Sequence, residues 1–176
     1  MKSFLFLLLI TIAYSCGSSY DLDLPSTYTS SSVEILQITA YRYTAGDYVE
    51  IPLSEAGEPT TSGIRAGSDI LMLIDDGMLS FDDGFGTVTT EYDSSSDAIS
   101  FTAGGSRYRM EIGEDDNLYS RRVGGGSLDE LNPSVTVSAT CEDEGCDDVS
   151  PSGYLFSSTE GQIGYIVIYN EVFTKI

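Results

Sequence analysis

Apolar residues recur at every second position in most segments beyond residue 33, and this period of two is typical of β-strands. The clearest case is 107–112 (RYRMEI), whose three apolar side chains are predicted to face inward and whose three charged ones outward. Two longer segments, 33–43 (VEILQITAYRY) and 163–173 (IGYIVIYNEVF), are apolar on both faces. This predicts a strand covered on both sides for part of its length at 33–43, and a central or barrel-closing strand at 163–173. No segment has a convincing helical period.

Turn residues separate these segments at short intervals. Asp-Gly occurs at 76–77 and 83–84, and Gly-Gly at 104–105; such pairs favour hairpins because glycine adopts positive φ at little cost. The predicted strands are 33–43, 47–53, 69–74, 78–81, 86–92, a short one around 99–101, 107–112, 118–123, 135–141, 154–156 and 163–173. About eight to ten short strands predict an all-β antiparallel meander that forms a small barrel, with a β-sandwich as the alternative.

The order and spacing of several of these strands resemble those of a known family. The succession GTVTTEY, AISF, SRYRMEI and NLYSRRV, followed by a final long strand, resembles the lipocalin-like small barrels of bacterial lipoproteins. The likeness covers residues 69–176 and rests on strand spacing, and the chain lacks the early tryptophan of lipocalins. It implies a barrel whose mouth or interior takes a small apolar ligand.

The first sixteen residues have the pattern of an export signal. Lys2 precedes the apolar run 4–13, which is too short for a bilayer span of roughly 20 residues. The run ends at Ala-Tyr-Ser-Cys, which resembles a lipoprotein lipobox, although Ala13 and Tyr14 differ from its usual residues. The resemblance implies a diacylglyceryl group on the Cys16 thiol, cleavage before Cys16 and acylation of the new amino group. The alternative is an ordinary secretory signal with an incidental thiol.

The lipobox interpretation divides the chain into three parts. Residues 1–15 are the signal peptide, 16–32 are the lipidated cysteine with a flexible tether, and 33–176 form a single all-β domain. The implied location is the outer membrane of a Gram-negative-type bacterium, with the domain facing the periplasm or the cell surface. Gly17 stands where some lipoproteins carry the aspartate that retains them in the inner membrane.

Composition narrows the chemistry. The chain has 28 acidic and 8 basic residues, a net charge of −20, so it should repel nucleic acid and anionic headgroups. It has no histidine, which excludes a Ser-His-Asp triad, a Cys-His pair and a histidine-based metal site. Only Lys2 and Lys175 are lysines, and Lys2 lies in the signal. We therefore expect a protein that is not an enzyme and needs no cofactor.

Two cysteines remain if Cys16 is lipidated. Cys141 and Cys146 are separated by four residues and are predicted to form a disulfide, as expected in an oxidising compartment. Metal ligation by this pair is the alternative, but a structural zinc site needs further thiolate or imidazole ligands.

Four arginines are concentrated on two strands that are predicted to be neighbours: Arg107, Arg109, Arg121 and Arg122. They are a possible anion-binding patch, and the alternative is cross-strand pairing with Glu111 and nearby acids.

Acidic residues are concentrated in turns at 75–76, 82–83, 114–116 and 142–148. Such turns could bind calcium through oxygen ligands, but none has the spacing of an EF-hand loop, and solvated turns are the simpler interpretation. No metal site is predicted.

The expected function is that of a lipid-anchored envelope protein whose non-catalytic β domain binds a small apolar ligand or a partner. The alternative is a structural or accessory subunit of an outer-membrane complex. A weaker alternative is a glycoside hydrolase that uses two carboxylates.

Overall fold

The structure is a computed structural model that describes residues 22–95, 97–127, 137–140, 150–155 and 159–176. Its strands are β1 (Ser26–Thr44), β2 (Asp47–Ile51), β3 (Ile70–Asp75), β4 (Met78–Asp82), β5 (Thr87–Ser94), β6 (Ala98–Ala103), β7 (Ser106–Ile112), β8 (Leu118–Ser127), β9 (Val137–Thr140) and β10 (Ile163–Lys175). Two helical turns of four residues each, α1 (Leu53–Ala56) and α2 (Pro151–Tyr154), lie between strands. The predicted all-β class is confirmed.

Eight of the strands close into an antiparallel barrel. Strands β1, β3, β4, β5, β6, β7, β8 and β10 pair in chain order, and β10 pairs with both β8 and β1 to complete the ring. This closure decides for the predicted meander barrel over the alternative sandwich, because a sandwich would leave two separate sheets. An eight-stranded up-and-down barrel is also the architecture of lipocalins.

The barrel has two ends that differ in construction. The lower end carries the β3–β4, β5–β6 and β7–β8 turns and the start of β1, whereas the upper end carries the β4–β5 loop and the β6–β7 turn. Strands β1, β8 and β10 continue beyond the upper end. There β2 pairs with β1 and β9 pairs with β8, which makes a five-stranded extension in the order β2–β1–β10–β8–β9.

Side chains fill the barrel interior. The inward positions of the described strands form one apolar cluster, whose fully buried members include Tyr28, Leu71, Leu73, Leu79, Phe81, Ile99, Met110, Leu118 and Phe173. On β7, Tyr108, Met110 and Ile112 face inward, as the alternation predicted. An eight-stranded barrel can be filled by side chains or hold one small ligand, and here the inward side chains form one buried cluster, so the interior is packed.

The extension is covered on both faces. Residues 52–69 cover the face that continues the barrel interior, where the Tyr165 hydroxyl donates to the Ala56 and Gly57 carbonyl oxygens. Residues 150–155 cover the other face, where a Cβ at Gly125 would lie 2.5 Å from the Cβ of Tyr154. The barrel-closing position predicted for 163–173 is confirmed, because β10 pairs with both β8 and β1. Segment 33–43 is covered for part of its length, as predicted: Ala40 is buried and Tyr41 packs on the other face, whereas Leu36 stays 44% exposed.

The start of the domain differs from the prediction. The tether was expected to reach residue 32, but β1 begins at Ser26 and pairs with β10 and β3 from there onward. Ser26, Tyr28 and Ser30 alternate inward and are buried. The error has a physical cause: small hydroxyls replace apolar residues at inward positions and obtain hydrogen bonds there, as Ser30 does with Glu171.

Another predicted element takes a different form. The short strand expected at 154–156 is replaced in its described part by the helical turn Pro151–Tyr154. Proline at the first helical position has a φ that suits a helix start, which the alternation of nearby apolar residues did not reveal.

Candidate functional site

The barrel wall is open between β5 and β6 at the upper end. These strands pair at only three positions, Tyr92 with Phe101, Asp93 with Ser100 and Ser94 with Ile99. Strand β5 nevertheless begins at Thr87, and within the described chain its residues 87–91 pair only with β4. We call the gap between residues 87–91 and the end of β6 the open seam.

A groove of about 460 Å³ lies along the open seam. It is bounded by residues 90–93 of β5, residues 100–102 of β6 and Arg107 of β7. The rings of Tyr92 and Phe101 are buried in its floor, whereas Glu91 and Asp93 are exposed. The groove therefore combines an apolar floor with two carboxylates and one guanidinium.

Three aromatic rings close the barrel beneath the seam. Phe81 lies 5.3 Å from Phe101 and 4.9 Å from Tyr108, and Phe101 stacks on Tyr108 at 5.0 Å with an interplanar angle of 9°. All three rings are buried, and burial raises the pKa of the Tyr108 phenol. We call this trio the aromatic plug, because it separates the groove from the interior below.

Two apolar side chains near the seam are exposed. Val88 lies on the inward side of β5, in alternation with Tyr92, yet it is 38% exposed because β6 does not cover it. Phe85, in the β4–β5 loop, is 99% exposed. The Asp83 carboxylate accepts hydrogen bonds from the backbone N–H of Phe85 and Gly86, at 2.9 and 3.2 Å, so the loop that presents this ring is itself ordered.

A buried ionic cluster lies at the same end of the barrel. Arg122 of β8 faces inward, with its Nε 2.5 Å from Oε2 of Glu171 and its Nη2 3.2 Å from Oδ2 of Asp69. Glu171 is 3% exposed and also accepts hydrogen bonds from the Ser30 hydroxyl and, at 2.9 Å, from the Gly67 backbone N–H. The cluster thus fastens the segment before β3 to three long strands.

Two carboxylates share one guanidinium in this cluster, and this disfavours the ionised form of Asp69. Burial is the main cause that raises the pKa of Asp69, and the neighbouring charge of Glu171 raises it further, against the opposing effect of Arg122. Asp83 adds a smaller contribution of the same sign, which places the β4–β5 loop close to the cluster.

The four predicted arginines are not all on one face. Arg122 is occupied inside the ionic cluster, whereas Arg107, Arg109 and Arg121 alternate to the outward side. Arg109 lies 3.8 Å from Asp97 and Arg107 borders the groove. The alternative of pairing with acids therefore fits Arg109 and Arg122, although their partners are Asp97, Asp69 and Glu171.

The predicted lipid site Cys16 and the predicted disulfide Cys141–Cys146 lie outside the described residues, as does the acidic turn 142–148. In two of the described turns, a carboxylate accepts hydrogen bonds from nearby residues of the same hairpin. Asp82 accepts from the Gly84 N–H at 2.9 Å, and Asp115 accepts from the Tyr119 hydroxyl at 2.9 Å, and these hydrogen bonds lower the pKa of both carboxyls. Across the described ranges, no group of three or more ligand-type side chains could hold a metal ion.

Sequence reasoning missed the ionic cluster, although a signal for it was present. Glu171 interrupts the apolar final strand on the face that carries Val167, Tyr169 and Phe173, and a charge at such a position needs a buried partner. The open seam left no comparable signal, since it depends on where two strands stop pairing.

Comparisons with protein-family models, with curated proteins and with solved structures gave no match to this chain. In the part of the chain that the structure describes, no helix is both long and apolar enough to cross a membrane.

Proposed function

We propose that this chain is a lipid-anchored protein of the bacterial cell envelope whose non-catalytic β domain binds a protein partner at its upper end. One observation carries the proposal: side chains fill the barrel interior, whereas an open seam and an exposed aromatic ring stand at its surface. Exposed apolar side chains beside unpaired strand edges favour protein contacts over an enclosed ligand.

The geometry of the proposed anchor supports this orientation. Strand β1 starts at the lower end, ten residues after Cys16, and an extended chain spans at most about 3.5 Å per residue. The start of β1 therefore stays within about 35 Å of the proposed anchor, and the seam lies at the opposite end of the barrel.

The anchor is tested by Cys16→Ser in a bacterial host that processes lipoproteins. Wild-type protein should incorporate labelled palmitate and sediment with membranes, whereas the variant should do neither, because two or three acyl chains provide the membrane affinity. Equal membrane association without label in both proteins would refute the anchor.

Partner binding is tested by photo-cross-linking in the native envelope. A benzophenone amino acid replaces Phe85 at the upper end, and the control carries it in place of Asp76 at the lower end. A discrete adduct to one protein from position 85, and none from position 76, is expected. The same adducts from both positions, or none from position 85, would contradict the proposal.

A second candidate is a small-molecule site, because the groove volume of about 460 Å³ falls within the usual range of ligand pockets. Native mass spectrometry of the soluble domain 17–176 tests it: extra mass that is lost on denaturation would favour this function. Asp69 and Glu171 are a carboxylate pair that a hydrolase could use, but both bind Arg122 and Glu171 is buried, which favours a structural role for this pair.

A further inference from the structure

Strand β5 presents a free hydrogen-bonding edge at the open seam. The backbone N–H of Tyr92 donates to the Gly77 carbonyl at 2.9 Å, so Tyr92 directs its backbone groups toward β4. Backbone direction alternates along an antiparallel strand, and Thr87, Thr89 and Glu91 therefore direct their N–H and C=O groups toward the seam. Within the described residues, β6 does not pair with Thr87 or Thr89, and at Glu91 the N–H is free while the C=O flanks the last pair, Tyr92 with Phe101.

The seam stays open because β6 follows its other neighbour. Strand β6 pairs with β7 over its whole length, up to Ala103 opposite Ser106, and Ala103 is buried. The β6–β7 turn uses Gly104 and Gly105 at φ +58° and +85°, so the chain reverses tightly there and does not return to β5. The free edge of β5 is thus a consequence of the barrel's own strand pairing.

We propose, on the basis of the partner-binding function above, that the open seam binds an extended basic segment of the partner as an added strand on β5. Five residues, 87–91, present the free edge, which matches a strand of about 17 Å at 3.4 Å per residue. Addition of a strand to an exposed sheet edge is a common mode of peptide recognition.

The charges around the edge specify the chemistry of the segment. Glu91 and Asp93 are exposed on β5, Asp82 and Asp83 stand at its upper limit, and Arg107 is the one cation that borders the groove among the described residues. The partner strand should therefore carry lysine or arginine at outward positions. At inward positions it meets Val88, Thr90 and Tyr92, which favour small β-branched residues.

The binding test uses a fluorescein-labelled peptide of four Val-Lys repeats with the lipid-free chain from residue 17. The matched control is the same peptide with N-methyl groups at alternate residues, which keeps charge and side chains but removes the donors of one edge. The unmodified peptide should bind at least about tenfold more tightly. Amide hydrogen exchange should slow at Thr89 and Glu91 and stay unchanged at Thr90, which already faces β4.

Two charge reversals sharpen the test, and both lie at exposed positions. Glu91→Lys at the seam should weaken binding of the unmodified peptide by at least about tenfold, whereas Glu114→Lys at the lower end should change it by less than about threefold. Equal binding of the two peptides, equal effects of the two substitutions, or no binding of either peptide would overturn strand addition. An adduct from position 85 in those cases would leave the partner function standing, and absence of both results would remove both proposals.

Discussion

The two ends of the barrel are closed by different means. At the lower end, short turns join strands that are paired to their last residues: the Gly113 N–H donates to the Asn117 carbonyl at 2.9 Å, and the Ser95 N–H to the Ala98 carbonyl at 2.8 Å. At the upper end, pairing between β5 and β6 stops early, and the aromatic plug and the ionic cluster do the closing. Hydrogen bonds in the turns close the lower end, whereas packed side chains complete the closure of the upper end where β5–β6 pairing stops.

This difference shows where the molecule can interact without losing its fold. The lower end joins its strands through short paired turns, whereas the upper end exposes the edge of β5 at the open seam and remains packed beneath it. The upper end is therefore the place where surface chemistry can change without a change of barrel topology.

The aromatic plug should give the largest effect. Phe81→Ala leaves a cavity against Phe101 and Tyr108, and such truncations cost about 3–5 kcal/mol of unfolding free energy. The control Val88→Ala, on the partly exposed neighbour of the same seam, should cost about 1 kcal/mol or less. Urea unfolding measures both, and equal losses would show that the plug is not what closes this end.

The ionic cluster should give the next largest effect. Arg122→Met leaves the buried Glu171 and the half-buried Asp69 without their cation, and we expect a loss of about 3 kcal/mol because unpaired buried charges are costly. The matched control is Arg109→Met, whose partner Asp97 is mostly exposed at 3.8 Å, and which should change stability by about 0–1 kcal/mol. Similar losses from both would contradict the distinction between buried and surface pairs.

Asp69 at the upper end and Asp115 at the lower end should respond to pH with opposite sign. Burial is the main cause of the raised pKa of Asp69. Its contribution to folding stability is therefore present below the ordinary Asp pKa of about 3.9 and is lost as pH rises through the folded-state pKa. The hydrogen bond from the Tyr119 hydroxyl is the main cause of the lowered pKa of Asp115. Its contribution to folding stability is therefore present above the ordinary Asp pKa and is lost as pH falls through the folded-state pKa.

Urea unfolding of Asp69→Asn and Asp115→Asn between pH 3 and 7 measures these contributions. As pH rises, the free energy of unfolding of Asp69→Asn should increase relative to that of wild type. That of Asp115→Asn should decrease relative to wild type. Parallel pH profiles for the two variants would contradict the assigned directions.

The exposed ring of Phe85 should have the smallest effect on stability. Phe85→Ser removes a side chain that is 99% exposed, so the free energy of unfolding should change by no more than about 0.5 kcal/mol. Partner capture by an affinity-tagged domain in the native envelope should nevertheless fall. Retained capture by the variant would place the contact elsewhere on the surface.

The sequence was most informative where side chains alternate. Residues 107–112 and the Asp-Gly turns predicted strand, face and hairpin correctly, because a half-buried strand imposes a period of two. The pattern failed at Ser26 and Ser30, where small hydroxyls occupy inward positions. It also could not predict the seam or the partners of Arg122, since both depend on contacts between segments that lie far apart in the chain.

The full-length pairing of β10 has a consequence for how the domain folds. Ser30 and Glu171, 141 residues apart in the chain, must meet before β1 and β8 lose their open edges. Domains dominated by such non-local pairing fold in milliseconds to seconds, and until β10 arrives the nascent sheet has two edges that can bind other chains. Closure of this barrel is therefore a late event, and a domain that lacks β10 should aggregate before it folds.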